Sequence, residues 1–191
     1  MMRSFHDEEK FENQNYQSSP LAKGDYENST FINCNFSNAD LSEINFIETE
    51  FCNCNLSLTK LNQTSFKDVK FKNSKLLGLH FDDCNSLTIS MSFENCNINL
   101  CSFNKLKLKK TLFTNSKINE ADFSEADLSF SVFKNCDLER TLFNHSNLEG
   151  VDFRSSFNYI IDPEQNRIRK AKFSLAGIAG LLGKYDIEIE Q

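Results

Sequence analysis

The sequence predicts an all-β fold, a right-handed quadrilateral parallel β-helix that ends in a short C-terminal helix. Three observations indicate it: a large apolar residue at every fifth position, a small residue two positions before each, and like residues that recur every 20 positions. A period of five fits neither the roughly 3.6 residues of a helical turn nor the alternation of a long strand. Each pentad is therefore expected to be a short extended segment followed by a corner.

The large apolar residues form two rows. The first row reads Phe31, Phe36, Leu41, Phe46, Phe51, Leu56, Leu61, Phe66, Phe71, Leu76 and Phe81. After a slip of two residues the second row reads Phe93, Ile98, Phe103, Leu108, Phe113, Ile118, Phe123, Leu128, Phe133, Leu138, Phe143, Leu148 and Phe153. Residues two apart point to the same side of an extended segment, so the large and the small residues both point inward.

The number of sides follows from the spacing at which like residues return. Phe93, Phe113, Phe133 and Phe153 are 20 residues apart, and Leu108, Leu128 and Leu148 repeat at the same interval. Four pentads therefore make one coil, in which like side chains stack as ladders. Parallel crossover connections are almost always right-handed, which predicts the hand of the helix.

The pattern divides the chain into three parts. Residues 1–15 lack a clean repeat and are expected to form an irregular N-terminal cap, and residues 16–157 form the β-helix. Between Phe81 and Phe93 there are 12 residues where 10 would keep phase, so residues 84–91 are expected to hold a bulge or small loop. Residues 158–191 are expected to cover the open C-terminal end, because an exposed coil leaves backbone groups unpaired.

The C-terminal part contains signals for a turn and a helix. Asp162 and Pro163 favour a turn. Ser174 is expected to cap a short helix that runs to Leu182 and stops at Gly183. The alternation of apolar and acidic residues over 185–189 is typical of an exposed strand.

Composition and charge limit the classes of function. The 191 residues suit a single domain, and the 27 acidic against 21 basic residues leave a net charge of −6. This balance argues against a protein that contacts nucleic acid directly by neutralising phosphates. The polar opening predicts no secretory signal, and no apolar run approaches the roughly 18 residues of a membrane span. We therefore expect a cytoplasmic protein without membrane contact.

Most of the seven cysteines are interpreted as core residues. Five of them fall in the small inward row: Cys34, Cys54, Cys96, Cys101 and Cys136. Cys52 falls on the outward row, so it and Cys54 point to opposite sides and cannot hold one metal ion. Cys34 and Cys54 are one coil apart and could approach disulfide distance, although the expected compartment disfavours a bond. We expect no metal site.

The sequence gives little sign of catalysis. His6, His80 and His145 have no partner at a spacing that indicates a catalytic triad or a zinc site. The sequence has no glycine-rich phosphate loop, and no pair of carboxylates stands out as an acid/base couple. We therefore expect a protein that is not an enzyme and takes no cofactor and no small-molecule substrate.

Charge is segregated along the chain. Residues 60–75 include five lysines and one aspartate, and residues 105–117 include five lysines and no acid. The candidate partner-binding residues are the eight acids that follow, all in outward phase: Glu120, Asp122, Glu125, Asp127, Asp137, Glu139, Glu149 and Asp152. Closely spaced negative charge on a rod attracts a cleft that binds DNA. The alternative is a solvated surface that keeps the rod soluble.

Three segments carry a resemblance to a known family. Residues 38–42 (NADLS), 120–124 (EADFS) and 125–129 (EADLS) resemble the A-(D/N)-L-x-x motif of pentapeptide-repeat proteins. Residues 168–173 and the segment after them resemble the tail that joins two protomers in the quinolone-resistance (Qnr-type) branch. This resemblance implies a tail-to-tail homodimer whose interface residues are Leu175, Ile178, Leu181, Leu182, Tyr185 and Ile187. A cap on a monomer is the alternative.

The same resemblance implies a function. Qnr-type relatives act on type II topoisomerases as DNA mimics, so the resemblance implies binding to DNA gyrase or topoisomerase IV and modulation of, or protection against, quinolones. The chain has no long insertion that could form the projecting loops of some relatives. The alternative function is a structural scaffold or adaptor whose flat sides bind another protein, without DNA mimicry.

Overall fold

The computed structural model describes residues 3–185 and 187–189, and it has the all-β, four-sided parallel architecture that the sequence predicts. Every strand pair is parallel, as in Phe31 opposite Phe51 and Tyr26 opposite Phe46, 20 residues apart. The strands form a four-stranded sheet of order β1-β3-β5-β7 and a seven-stranded sheet of order β11-β10-β9-β8-β6-β4-β2. The remaining sides are held by single bridges at the same spacing.

The strands are short because a corner follows every few residues. They are β1 (Ser4–Asp7), β2 (Lys10–Glu12), β3 (Gly24–Glu27), β4 (Thr30–Ile32), β5 (Asn45–Ile47), β6 (Glu50–Cys52), β7 (Ser65–Lys67), β8 (Val69–Lys72), β9 (Met91–Glu94), β10 (Leu112–Thr114) and β11 (Val132–Lys134). The helical elements are the 3-10 turns η1 (Phe81–Asp83), η2 (Ser86–Thr88), η3 (Ile178–Leu181) and η4 (Gly183–Tyr185). No helix within the described residues is long and apolar enough to cross a membrane.

Four faces surround the core, and each is defined here by its inward column of large residues. Face 1 has Phe11, Phe31, Phe51, Phe71, Phe93, Phe113, Phe133, Phe153 and Phe173. Face 2 has Tyr16, Phe36, Leu56, Leu76, Ile98, Ile118 and Leu138. Face 3 has Leu21, Leu41, Leu61, Phe81, Phe103, Phe123 and Phe143. Face 4 has His6, Tyr26, Phe46, Phe66, Leu108, Leu128, Leu148 and Ile168.

The corners are formed by residues in the left-handed backbone region. Among the described residues, twenty-five other than glycine have positive φ, and nearly all of them lie two positions after an inward large residue. Asparagine tolerates this conformation better than most residues. At the corner between faces 1 and 2 asparagines stack coil on coil, as in the amide of Asn95, which donates to the side-chain oxygen of Asn73 at 3.1 Å. The polar residues between the apolar rows therefore serve the turns.

The aromatic ladders change sides at the phase break. Before it, face 4 carries the rings of Tyr26, Phe46 and Phe66, and after it face 3 carries those of Phe81, Phe103 and later coils. Phe66 and Phe81 meet edge to face at 6.0 Å between ring centroids. Face 1 has an aromatic ring in every coil. The core therefore contains a pair of aromatic ladders on both sides of the break, with the second ladder on face 4 before it and on face 3 after it.

The register of the strands shifts by two residues between β8 and β9. Val69 pairs with Met91 across 22 residues instead of 20, and the extra length is taken up by η1 and η2. The side chain of Asn85 accepts a hydrogen bond from the backbone N–H of Leu87 at 3.2 Å and caps η2. Leu87 is 91% exposed at the tip of this loop.

The N-terminal prediction needs correction. Instead of an irregular cap, residues 3–15 contain β1 and β2, which pair with β3 and β4 as a regular coil. His6 takes the place of an inward phenylalanine and stacks on Tyr26, with ring centroids 4.5 Å apart. The repeat is hard to recognise in the N-terminal sequence because the polar His6 occupies a position that is apolar in the later coils. Met1 and Met2 lie outside the described residues.

The C-terminal helix prediction is wrong. Residues 174–182 form no α-helix but contain the 3-10 turn η3, and the turn η4 follows them. Gly177 and Gly180 lie directly against Tyr159, and a Cβ added to either glycine would collide with that tyrosine. Each glycine also lowers the helix propensity of the segment by about 1 kcal/mol. Ser174 still accepts a hydrogen bond from the N–H of Gly177 at 3.1 Å. In the predicted strand, residues 187–189 have no strand structure and Asp186 lies outside the described residues.

Candidate protein-binding surface

The eight predicted acids all point outward, but they do not form one patch. Asp137 and Glu139 flank Leu138 on face 2, and Glu120 stands at the corner between faces 2 and 3. Asp122 lies on face 3, and Glu125 stands at the corner between faces 3 and 4. The remaining three lie on faces 4 and 1: Asp127, Glu149 and Asp152. Faces 2 and 3 with their corners therefore hold five of the eight.

Four of the acids pair with cations. Asp127 pairs with Lys109 at 3.2 Å, Glu125 with Lys105 at 3.6 Å, and Glu120 with Arg140 at 4.0 Å. Asp152 pairs with Arg154 at 2.7 Å. Such exposed pairs add little stability, but each one cancels part of the negative field.

The other four acids have no ion pair within the described residues. They are Asp122, Asp137, Glu139 and Glu149, and the first three lie on faces 2 and 3. The uncompensated negative charge of the C-terminal coils is therefore concentrated on these two faces. We call this group, Asp122, Asp137 and Glu139, the acidic surface.

The aspartates also have a structural task. Asp122 accepts a hydrogen bond from the N–H of Ser124 at 2.8 Å, and Asp127 accepts one from Ser129 at 3.1 Å. Asn35 makes the same contact with Ser37 in an early coil. An Asp or Asn before the inward large residue thus stabilises the next turn. Glu139 and Glu149, which follow their inward leucines, accept no such hydrogen bond within the described part of the chain.

Hydrogen bonding lowers the pKa of two of these carboxylates. The Arg154 side chain lowers the pKa of Asp152 below its ordinary value. Burial raises the pKa of Asp127, but the hydrogen bonds from Ser129 and Lys109 outweigh it and lower the pKa overall. Both groups are negative at neutral pH.

The six predicted interface residues divide into two groups. Leu175 is 87% exposed, and Ile178, Tyr185 and Ile187 are about half exposed. Leu181 and Leu182 are partly buried, and Leu181 packs against the core of its own chain. Phe157 and Ile160 add exposed apolar surface at this end, which the repeat pattern does not mark. The segment that follows Phe173, which we call the end segment, is therefore anchored to the core by Leu181 and exposes Leu175 and Ile178 to solvent.

The cysteines lie where the repeat phase puts them. All seven have free thiols, and six are buried, with Cys52 half-buried. The Cys52 thiol donates to a carboxylate oxygen of Glu50 at 2.9 Å. Burial, followed by this hydrogen bond, raises the pKa of Cys52 to about 11. Within the described residues no cluster of His, Cys, Asp and Glu is arranged to hold a metal ion.

Solved structures with the same fold include two of QnrB1, described as a plasmid-mediated fluoroquinolone resistance protein. A trypsin-treated form has a TM-score of 0.65 at 20% identity and covers 98% of this chain and 100% of its own. The full-length form has a TM-score of 0.59 at 19% identity and covers 96% and 100%. HetL, involved in heterocyst differentiation regulation in the cyanobacterium Nostoc, has a TM-score of 0.56 at 14% identity and covers 90% and 86%.

Comparison of the sequence itself gives a family assignment. No curated protein matches the chain significantly. The family profile described as a pentapeptide repeat region matches residues 24–99 and 88–157, which together span most of the chain. This chain belongs to the pentapeptide repeat family.

Proposed function

We propose that this chain is a non-catalytic binding protein that docks on a type II topoisomerase, DNA gyrase or topoisomerase IV, in place of DNA. The observation that carries the proposal is the acidic surface, three unpaired carboxylates on adjacent faces of a rigid rod. The fold that the chain shares with QnrB1, a fluoroquinolone resistance protein, supports the choice of partner.

A rigid array of carboxylates suits this role physically. A cleft that binds DNA is lined with basic groups placed to meet phosphates, and a complementary negative surface is steered into it. In a stacked β-helix the carboxylates are held on a scaffold whose coils repeat about every 4.8 Å, so little ordering is needed on binding.

The exposed apolar side chains of the end segment support a homodimer. The exposed group of Leu175, Ile178, Tyr185 and Ile187 lies beyond the last coil, next to the coils that carry the acids. If two copies join through it, their acidic surfaces flank the junction and the negative stretch doubles in length. A homodimer through this end is therefore part of the proposal.

A supercoiling assay with purified gyrase tests the function. The test variant carries Asp122→Lys, Asp137→Lys and Glu139→Lys, and the matched control carries Asp127→Lys, Glu149→Lys and Asp152→Lys. Both change the charge by the same amount, but the control alters faces 4 and 1. Circular dichroism melts establish that each variant is folded.

We expect the unaltered protein to inhibit supercoiling or to restore it in the presence of a quinolone, and the acidic-surface variant to lose the effect. The control should keep most of it. No effect of the unaltered protein at micromolar concentration rejects the topoisomerase as the partner. Equal losses in both variants reject the acidic surface as the site.

A further inference from the structure

The phase break leaves a depression where the regular stack of face 4 is interrupted. Its volume is about 260 Å³, and it lies between β8, the loop before β9, and the coil that follows. Four lysines line it: Lys70, Lys107, Lys109 and Lys110. We call this depression the lysine groove.

Lysines outnumber carboxylates in the lining of the lysine groove, four to one. Lys70, Lys107 and Lys110 form no ion pair within the described residues, and Lys109 pairs with Asp127. The carboxylate in the lining, Asp68, accepts a hydrogen bond from the Ser90 hydroxyl at 2.6 Å and keeps its negative charge, so it offsets one of the four lysines. On a chain whose net charge is −6, three free ammonium groups around one concavity form a local field of opposite sign.

The lysine groove also has an apolar component. Ile89, which is half-buried, and Met91 contribute to its lining. Leu87, two residues earlier in the same loop, exposes 91% of its surface. A free phosphate or a nucleic-acid backbone would use the lysines but would leave the exposed parts of Leu87 and Ile89 in water. A polypeptide with carboxylates around an apolar side chain would use both.

We propose that the lysine groove is a second docking surface, which binds an acidic segment of a protein partner with an apolar side chain placed against Leu87 and Ile89. It lies on faces 4 and 1, away from the acidic surface and with the opposite charge. Its occupant therefore meets the rod independently of a partner that docks on faces 2 and 3.

Peptide binding measured by fluorescence anisotropy tests this proposal on the full chain. The probe is a fluorescein-labelled peptide with four glutamates around one leucine, and a second probe has serine in place of that leucine. The test variant carries Lys70→Glu, Lys107→Glu and Lys110→Glu. Its matched control carries Lys60→Glu, Lys75→Glu and Lys117→Glu, which change the charge equally on lysines outside the groove.

The groove variant is expected to bind the leucine peptide at least about tenfold more weakly than the unaltered chain, and the control to stay within about twofold. Leu87→Ser should weaken the leucine peptide severalfold and leave the serine peptide unchanged. Because Leu87 is exposed, this change should not affect folding.

Three results would overturn the proposal. The first is that the unaltered chain does not bind the leucine peptide at millimolar concentration, and the second is that the control loses as much affinity as the groove variant. The third is that both peptides bind equally and that inorganic triphosphate or a short DNA duplex displaces them at lower concentration than unlabelled peptide. That result would assign the groove to phosphates.

Discussion

The ring of Phe130 lies over Gly150 at the corner between faces 4 and 1, one coil apart. Both residues have positive φ, 62° and 67°, and a Cβ added to Gly150 would stand 2.7 Å from the Phe130 ring. Leu58 and Gly78 repeat the relationship at another corner, where an added Cβ would stand 2.9 Å from the leucine side chain. At both corners, a missing Cβ makes room for a large side chain from the coil before.

Gly150→Ala is expected to destabilise the protein by about 1–2 kcal/mol, from the left-handed backbone and the contact with Phe130. Adding Phe130→Asn to the Gly150→Ala variant should recover the part of this destabilisation that comes from the contact with the ring. Urea unfolding followed by circular dichroism measures the four proteins of this cycle. If Gly150→Ala lowers the free energy of unfolding equally in the presence of Phe130 and of Phe130→Asn, the ring does not contribute to the cost.

Phe123→Ala is expected to cost about 3–5 kcal/mol, because a buried ring leaves a cavity that the stiff ladder cannot close. The ring stacks on Phe103 at 4.7 Å and meets Phe133 edge to face at 5.9 Å. Leu142→Ala, at a half-exposed outward position, serves as control and should stay within about 0.5 kcal/mol. Similar unfolding midpoints for the two variants would contradict the assigned direction of the side chains.

The repeat predicts the core well because every inward side chain must stack on the equivalent side chain of the next coil. Phe93, Phe113 and Phe133 must stack on one another, so their spacing in the sequence gives their spacing in the structure. The length of the phase slip is also readable, since a shift of two residues appears directly in the pairing of Val69 with Met91.

The surface and the ends are less predictable for physical reasons. Outward side chains are not constrained by packing, so the phase shows that Asp127 points outward but not that Lys109 neutralises it. The apolar pattern around Leu181 suits a helix, yet the contact of Gly177 and Gly180 with Tyr159 determines the local backbone. Tertiary contacts that occur once in the chain leave no periodic signal.

Cys52 is expected to be the thiol that reacts first with an alkylating reagent in the native protein, because the other six cysteines are buried. Its reaction should be slow at neutral pH, since burial and Glu50 raise the pKa of Cys52. Glu50→Gln should lower the pKa of this thiol and speed the reaction severalfold. Mass spectrometry of tryptic peptides identifies the site, and early labelling of Cys34 or Cys54 would contradict the prediction.

The Asp152 carboxylate is expected to make stability depend on pH in the acid range. Its pKa is lowered in the folded chain, first by the hydrogen bond from Arg154. The carboxylate therefore stabilises the fold above its unfolded pKa of about 3.9, and this contribution is lost as pH falls through the lower folded pKa. The stability gap between the unaltered chain and Asp152→Asn should be about 1 kcal/mol or less at pH 7. It should shrink below about pH 4, and a gap that widens there would contradict the sign.

The end segment allows a test that separates association from capping. Leu175→Asp with Ile178→Asp places charge on exposed side chains that do not pack on the core, so the fold should persist while the molar mass in solution falls by half. Leu181→Ala removes a contact with the core of the same chain, so it should lower the melting temperature and leave the mass unchanged. Light scattering coupled to size exclusion gives the mass. If the first variant and the unaltered chain have the same mass, the end segment caps its own coil and the homodimer through this end is rejected.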